Sequence, residues 1–151
     1  MKKDNWSHMR RWLSRYHFII KEIGARREHL QDFIEELYNP LQATVQDGMP
    51  KGGGISDPTL KRVLDIKRLY ETMMAEMQAN IDSLYLTKNE IEQAVAQLDA
   101  AERCVIYHRY ILGIAWADMP EYIGYERAQC YRLETSGLKK LAKMIQNEDA
   151  K

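Results

Sequence analysis

Near the C-terminal end, Arg127, Gln129, Tyr131, Arg132, Ser136, Lys139 and Lys140 share one stretch with the apolar residues Cys130, Leu133, Leu138, Leu141 and Ile145. If that stretch is a helix with its apolar side turned to a core, the polar residues are left outward, and their chemistry suits a nucleic acid. Arginine and glutamine form paired hydrogen bonds with the edges of guanine and adenine. Arg127 and Gln129 stand in the first turn, the part of such a helix that reaches bases in the major groove. Arg132, Lys139 and Lys140 are better placed for phosphates, which position a protein on a duplex without reading its sequence.

Other chemistries find little support. His8, His17, His29 and His108 lack a second ligand three or four residues away, and Cys104 and Cys130 form no CxxC or Cys/His cluster. The expectation is no metal, no cofactor and no disulfide. The glycines at 52–54 are not followed by the Lys-Ser/Thr of a phosphate loop, and Glu28 and His29 have no nucleophile near them in sequence. An enzyme is therefore not expected. The formal net charge of zero argues against a nonspecific nucleic-acid coat. It conceals a basic start: residues 1–30 hold Lys2, Lys3, Arg10, Arg11, Arg15, Lys21, Arg26 and Arg27 against Asp4, Glu22 and Glu28. The first residues are too charged for a signal peptide, and no apolar run is long enough to span a bilayer, so the chain is expected in the cytoplasm, in a bacterial host cell, with no membrane partner.

The elements that must hold these residues read as all-α. Leu13, Tyr16, Ile20, Ile23, Arg27, Leu30, Ile34, Leu37 and Leu41 recur at alternating steps of three and four, a coiled-coil seam with Arg27 as its polar exception. Pro40 predicts an end to this helix near Tyr38. The breaker-rich stretch from Gly48 to Gly54 predicts a loop, placed at 39–57. Asp57 as N-cap and Pro58 behind it announce a second helix over 58–86, with a seam through Val63, Ile66, Tyr70, Met73, Met77, Asn80 and Leu84, and Leu69, Met74 and Ile81 widening it. Two such helices fold into an antiparallel hairpin over 1–86, and the methionines read as core filler. The same seam could close within one chain or between two copies.

Thr87 and Glu90 have capping-box spacing and predict a short connecting helix over 87–97; Asp99 and Glu102 repeat the pattern and predict a helix from Ala100. Over 98–147 follow a capped helix with Val105, Ile106 and Tyr110 inward, a break at Gly113, a short helix containing Trp116, Met119 and Ile123, a turn at Gly124-Tyr125 and a long helix. That order is the layout of a helix-turn-helix.

The string LDAAERCVIYHRYILGIAWADMPEYIGYERAQCYRLETSGLKKLAK resembles the helix-turn-helix of sigma-factor region 4, and most closely that of phage-type ArpU/RinA late-gene transcriptional regulators. The matching points are Leu98, Glu102-Arg103, Val105-Ile106, Arg109-Tyr110, Gly113, Trp116, Ile123-Gly124-Tyr125, the run from Gln129 to Leu133, and Leu138 to Leu141. GMPKGGGISDPT is similar to the loop between the two N-terminal helices of that family, so the resemblance covers most of the chain. It implies sequence-specific binding of double-stranded phage DNA and activation of late morphogenesis and packaging genes. The hairpin is then left for a partner, host RNA polymerase, or for a homodimer through its seam.

Three positions depart from the pattern. Pro120 is expected to shift or kink the short helix. Glu126 stands at the cap of the recognition helix, where a carboxylate faces phosphates with the wrong charge. Gly137 replaces a usual alanine inside a helix, at a cost of roughly 0.5–1 kcal/mol. Two further functions fit the same layout: a small-terminase-like DNA-packaging component, which would assemble as a ring, and a protein-binding helix-turn-helix that has lost DNA affinity.

Overall fold

A computed structural model describes residues 6–46 and 57–150, with side chains over 6–38 and 58–150. The described residues are helical apart from short connections, without a strand among them. Helix α1 spans Ser7–Gln46 and α2 spans Asp57–Ala96; α3 (Ala100–Ile106) runs into one π turn, Tyr107–Ile111; α4 is Met119–Ile123 and α5 is Arg127–Glu148. No described helix is long and apolar enough to cross a membrane.

The chain divides into two compact units, residues 1–21 with 85–151, and residues 22–84. In the second unit Ile23 and Ile81 are buried, and the rings of Phe33 and Tyr70 meet at 5.6 Å. Leu30, Ile34 and Leu37 are half-buried, as are Met73, Met74 and Met77, so the methionines pack at a partly open seam rather than in a closed core.

The helix boundaries depart from the sequence expectation in two places. α1 does not stop near Tyr38 but continues through Pro40 to Gln46. A proline withdraws a single donor from the ladder, and the turns on either side keep theirs. The expected loop at 39–57 is thus helical over 39–46 and again at Asp57, while 47–56 lie outside the described residues. The second helix does not end at 86, and no separate helix starts at Thr87. α2 is continuous to Ala96 because no glycine or proline occurs between Thr59 and Ala96, and a Thr-x-x-Glu spacing fits a helix interior as well as its start. Lys88 and Glu92 pair one turn apart across the supposed junction, at 2.7 Å.

The first unit carries α3, α4 and α5, the segment read from the sequence as a helix-turn-helix. Met9, Leu13, Tyr16 and Ile19 of α1, Ile91 and Val95 of α2, Leu98, then Val105, Ile106, Tyr110, Met119, Cys130, Leu138 and Leu141 are all buried. Ile19 takes the inward place expected for Ile20, which is 41% exposed. A straight helix repeats every 3.6 residues, so a strict heptad reading drifts off the buried stripe. Tyr16 donates its hydroxyl to Glu92 at 2.5 Å, and Lys88 and Tyr16 together hold the Glu92 carboxyl below the ordinary carboxylate range. A depressed carboxyl stabilises the fold above its unfolded pKa and loses that contribution as pH falls through the folded value. Acidification below about pH 5 is therefore expected to lower the thermal midpoint of the native chain more than that of Glu92→Gln, followed by circular dichroism.

The α3–α5 contact explains Gly137. It is buried, and a Cβ built there would lie 2.5 Å from Ile106 Cδ1, so a side chain would force the buried Ile106 to shift, and α5 lies close against α3. The glycine costs helix propensity, as expected, but the packing against Ile106 favours it. Gly137→Ala is expected to destabilise by about 1 kcal/mol, overpacking outweighing the propensity gain. Ile106→Val, which removes the clashing methyl, should recover that loss in the double variant; a Gly137→Ala chain that melts higher than the parent would overturn the packing argument.

Candidate nucleic-acid interface

Two left-handed glycines shape the turns that lead into α5. Gly113 (φ +74°) ends the π turn beneath the His17 imidazole, where a Cβ would come within 3.0 Å of the ring. Gly124 (φ +72°) caps α4, its N–H donating to the Pro120 carbonyl at 3.0 Å. Of the two outcomes expected for Pro120, the shift is the one observed. α4 begins at Met119, so the proline occupies the first turn where no partner for its nitrogen is needed, and Trp116 lies before the helix instead of in it. Met119 packs with Val105 and Cys130, and Ile114, Trp116, Ile123, Tyr125 and Leu133 close around them.

α5 then presents two opposite faces. At about 100° per residue, Cys130, Glu134, Gly137, Leu138 and Leu141 fall on one side and are buried. Ala128, Arg132, Thr135, Lys139 and Lys143 fall on the other side and are exposed. Arg127 is exposed at the helix start, behind Glu126, whose backbone is extended as an N-cap should be but whose carboxylate makes no capping bond. Arg127, Arg132, Lys139 and Lys143 take part in no ion pair among the described residues, which leaves an outward row of three unneutralised cations and a fourth exposed at the helix start.

Tyr131 sits at the edge of this row, 43% exposed, with its ring stacked on Trp116 at 4.7 Å. On Trp116 also lies the Arg109 guanidinium, 5.6 Å from the ring centroid, while an Arg109 nitrogen donates to the Ile114 carbonyl at 3.1 Å. The contacts Arg109–Trp116 and Trp116–Tyr131 hold the tyrosine by stacking while it stays exposed.

The residues singled out in the sequence are therefore divided. Arg127, Tyr131, Arg132 and Lys139 stand outward, and Gln129 is half-buried in the first turn. Ser136 and Lys140 are used inside the protein. Ser136 donates to Glu102 at 2.5 Å; Lys140 pairs with Glu102 at 2.9 Å and with Asp99. The two carboxylates raise the Lys140 pKa, holding its charge on α3. Neither capping carboxylate expected at this helix start performs that role. Asp99 has the N-cap backbone conformation without a side-chain capping bond, and Glu102 is buried toward α5. A buried carboxylate demands hydrogen-bond partners, and the close passage allowed by Gly137 brings Ser136 and Lys140 to it.

Residues of weight were also missed. Glu134, 2% exposed, accepts two hydrogen bonds from Arg10 of α1, at 3.1 and 3.2 Å, and one from the Tyr110 hydroxyl at 2.6 Å. Burial first, and the bond to Glu134 second, push the Tyr110 phenol well above the ordinary tyrosine range. The signal was present: Glu134 lies four residues from both Cys130 and Leu138, on the inward stripe. Lys143, four residues beyond Lys139, extends the cationic row by the same spacing.

Among the described residues no group of histidine, cysteine, aspartate or glutamate side chains is arranged to hold a metal ion. No protein-family model, curated protein or solved structure matches the chain.

Proposed function

We propose that this chain is a sequence-specific DNA-binding transcriptional regulator that lays α5 in the major groove. The observation that carries the reading is the outward face of α5, where Arg132, Lys139 and Lys143 remain unpaired, with Arg127 exposed at the helix start, while Glu134, the one acid on the helix before Glu148, is turned inward. Cations without internal partners gain most from phosphates, by releasing the counterions condensed on the duplex. Arg127 and Gln129 in the first turn read base edges; Arg132, Lys139 and Lys143 hold the backbone. Glu126 at the head of the helix disfavours indiscriminate phosphate binding and leaves discrimination to the bases.

The resemblance to ArpU/RinA regulators extends the proposal to a phage or prophage setting and to late-gene activation. The two long helices form the antiparallel hairpin in this reading: Phe33 and Tyr70, whose rings meet, are equally far from the ends of α1 at Gln46 and α2 at Asp57. The hairpin then serves protein contacts while α5 serves DNA.

The test is a gel shift and footprint with purified protein on the DNA around its own coding region, at two salt concentrations and with random competitor. Protection of a discrete site that survives competitor is the expected result. Binding that vanishes with both salt and competitor would leave backbone attraction alone and would sink the proposal in favour of a protein-binding helix-turn-helix.

A further inference from the structure

Helix α1 begins with a stretch free of acids. From Trp6 to Lys21 the sequence holds Arg10, Arg11, Arg15 and Lys21 and neither aspartate nor glutamate. These residues belong to the unit that carries α3, α4 and α5, not to residues 22–84. At about 100° per residue, Arg11, Ser14, Phe18 and Lys21 lie opposite the buried Met9, Leu13, Tyr16 and Ile19, with Arg15 beside them, and all five are exposed. Arg10 is spent on Glu134, whereas Arg11, Arg15 and Lys21 take part in no ion pair among the described residues.

Two contacts relate this face to α5. Arg10 meets Glu134, and farther along α1 Ser14 and His17 line a cavity of about 370 Å³ with Arg109, whose guanidinium lies on Trp116, the ring stacked on Tyr131. Tyr131 precedes Glu134 in the chain, so α1 and α5 pass in opposite senses, and the basic stretch runs toward the first turn of α5. From the Arg10–Glu134 contact, Arg11 is turned by about 100° on α1 and Lys139 by about 140° on α5, in the same rotational sense. Equal senses of rotation on antiparallel helices bring the two cations to one side of the unit. The cavity between them is lined by Ser14, His17, Arg109, Tyr110, Leu112 and Gly113, without a carboxylate.

We propose that the outward face of α1, through Arg11, Arg15 and Lys21, is a second duplex contact that holds backbone phosphates beside the site read by α5. Phe18 is the single large apolar side chain among the five exposed residues, so the face has no stripe to bury against a protein and suits a charged, hydrated partner. Each free cation set on a phosphate releases condensed counterions. Such contacts add affinity and fix register without reading sequence. The inference rests on DNA binding by this chain, as proposed above, but not on base reading by α5.

Anisotropy titrations of the full chain on duplex DNA at several salt concentrations provide the test, with circular dichroism to confirm that each variant keeps its helicity. Arg11→Gln/Arg15→Gln is expected to reduce the salt dependence of log K by about 2 and to weaken binding on the order of tenfold at moderate salt, with the preference for the protected site over random duplex kept. Lys61→Gln/Arg62→Gln removes the same charge from exposed positions in residues 22–84 and should bind as the parent does. Ethylation of phosphates beside the protected site should interfere with the parent and not with Arg11→Gln/Arg15→Gln. A parent-like salt dependence in that variant, an equal loss in Lys61→Gln/Arg62→Gln, or a parent that binds no duplex would each overturn the proposal. A parent that binds duplex without a discrete site would instead sink base reading by α5, and the salt dependences on random DNA would still decide the role of α1.

Discussion

Arg127→Ala is expected to weaken binding to the protected DNA site by roughly 1–3 kcal/mol and to relax discrimination at one base position. The residue stands exposed in the first turn of α5 and carries no ion pair among the described residues, so its truncation leaves nothing unpaired in the fold. Arg132→Ala, on the outward face of the helix, is expected to behave differently. It should weaken all sequences about equally and reduce the salt dependence of log K by about 1. Lys140→Ala is the internal contrast. Its ammonium is committed to Asp99 and Glu102, so the salt dependence should stay as in the parent while the thermal midpoint falls. Titrations by fluorescence anisotropy at several salt concentrations separate the three. Parent-like affinity of an Arg127→Ala/Arg132→Ala protein would remove α5 as the DNA-reading element.

The second large effect concerns stability. Arg10→Ala leaves the Glu134 carboxylate buried with Tyr110 as its remaining partner. Breaking a fully buried pair costs roughly 3–5 kcal/mol, but the Arg10 side chain is 47% exposed, so solvent screening reduces the expected loss to about 2 kcal/mol. For a chain of this size that corresponds to a fall of roughly 4–8 °C in thermal midpoint. Glu134→Gln keeps an acceptor for Tyr110 and removes the charge. Arg10→Ala/Glu134→Gln should therefore be more stable than Arg10→Ala alone. Equal stabilities of those two proteins would mean that the buried charge is not the source of the loss.

These two expectations also mark what could be read without the fold. The all-α class, the start of α3 after Asp99, the breaks at Gly113 and Gly124, the start of α5 and its buried apolar residues follow from local rules: a 3.6-residue period, an extended N-cap backbone, and glycines in left-handed turns. Such rules act over a turn or two of chain, so the sequence displays them directly. They also located Arg127, Tyr131, Arg132 and Lys139 on the outside, since a residue opposite a buried stripe has few other places to go.

What the local rules could not settle was the partner of each polar group. Ser136 and Lys140 have the same composition-level appearance as Arg132 and Lys139, yet Glu102, 34 residues before Ser136, claims both of them. Glu134 lies on the inward stripe, but its partners, Arg10, 124 residues away, and Tyr110, are brought to it only by the fold. Gly137 read as a propensity defect and is in fact the point where α5 touches Ile106. Pro40 and Thr87 read as boundaries and lie inside long helices. The sequence by itself determined which segments coil and which of their faces are apolar, because those preferences are properties of neighbouring residues. Only the tertiary structure decided which charges are spent inside and which remain for a ligand, because burial and ion pairing depend on groups that are distant in the chain and adjacent in space.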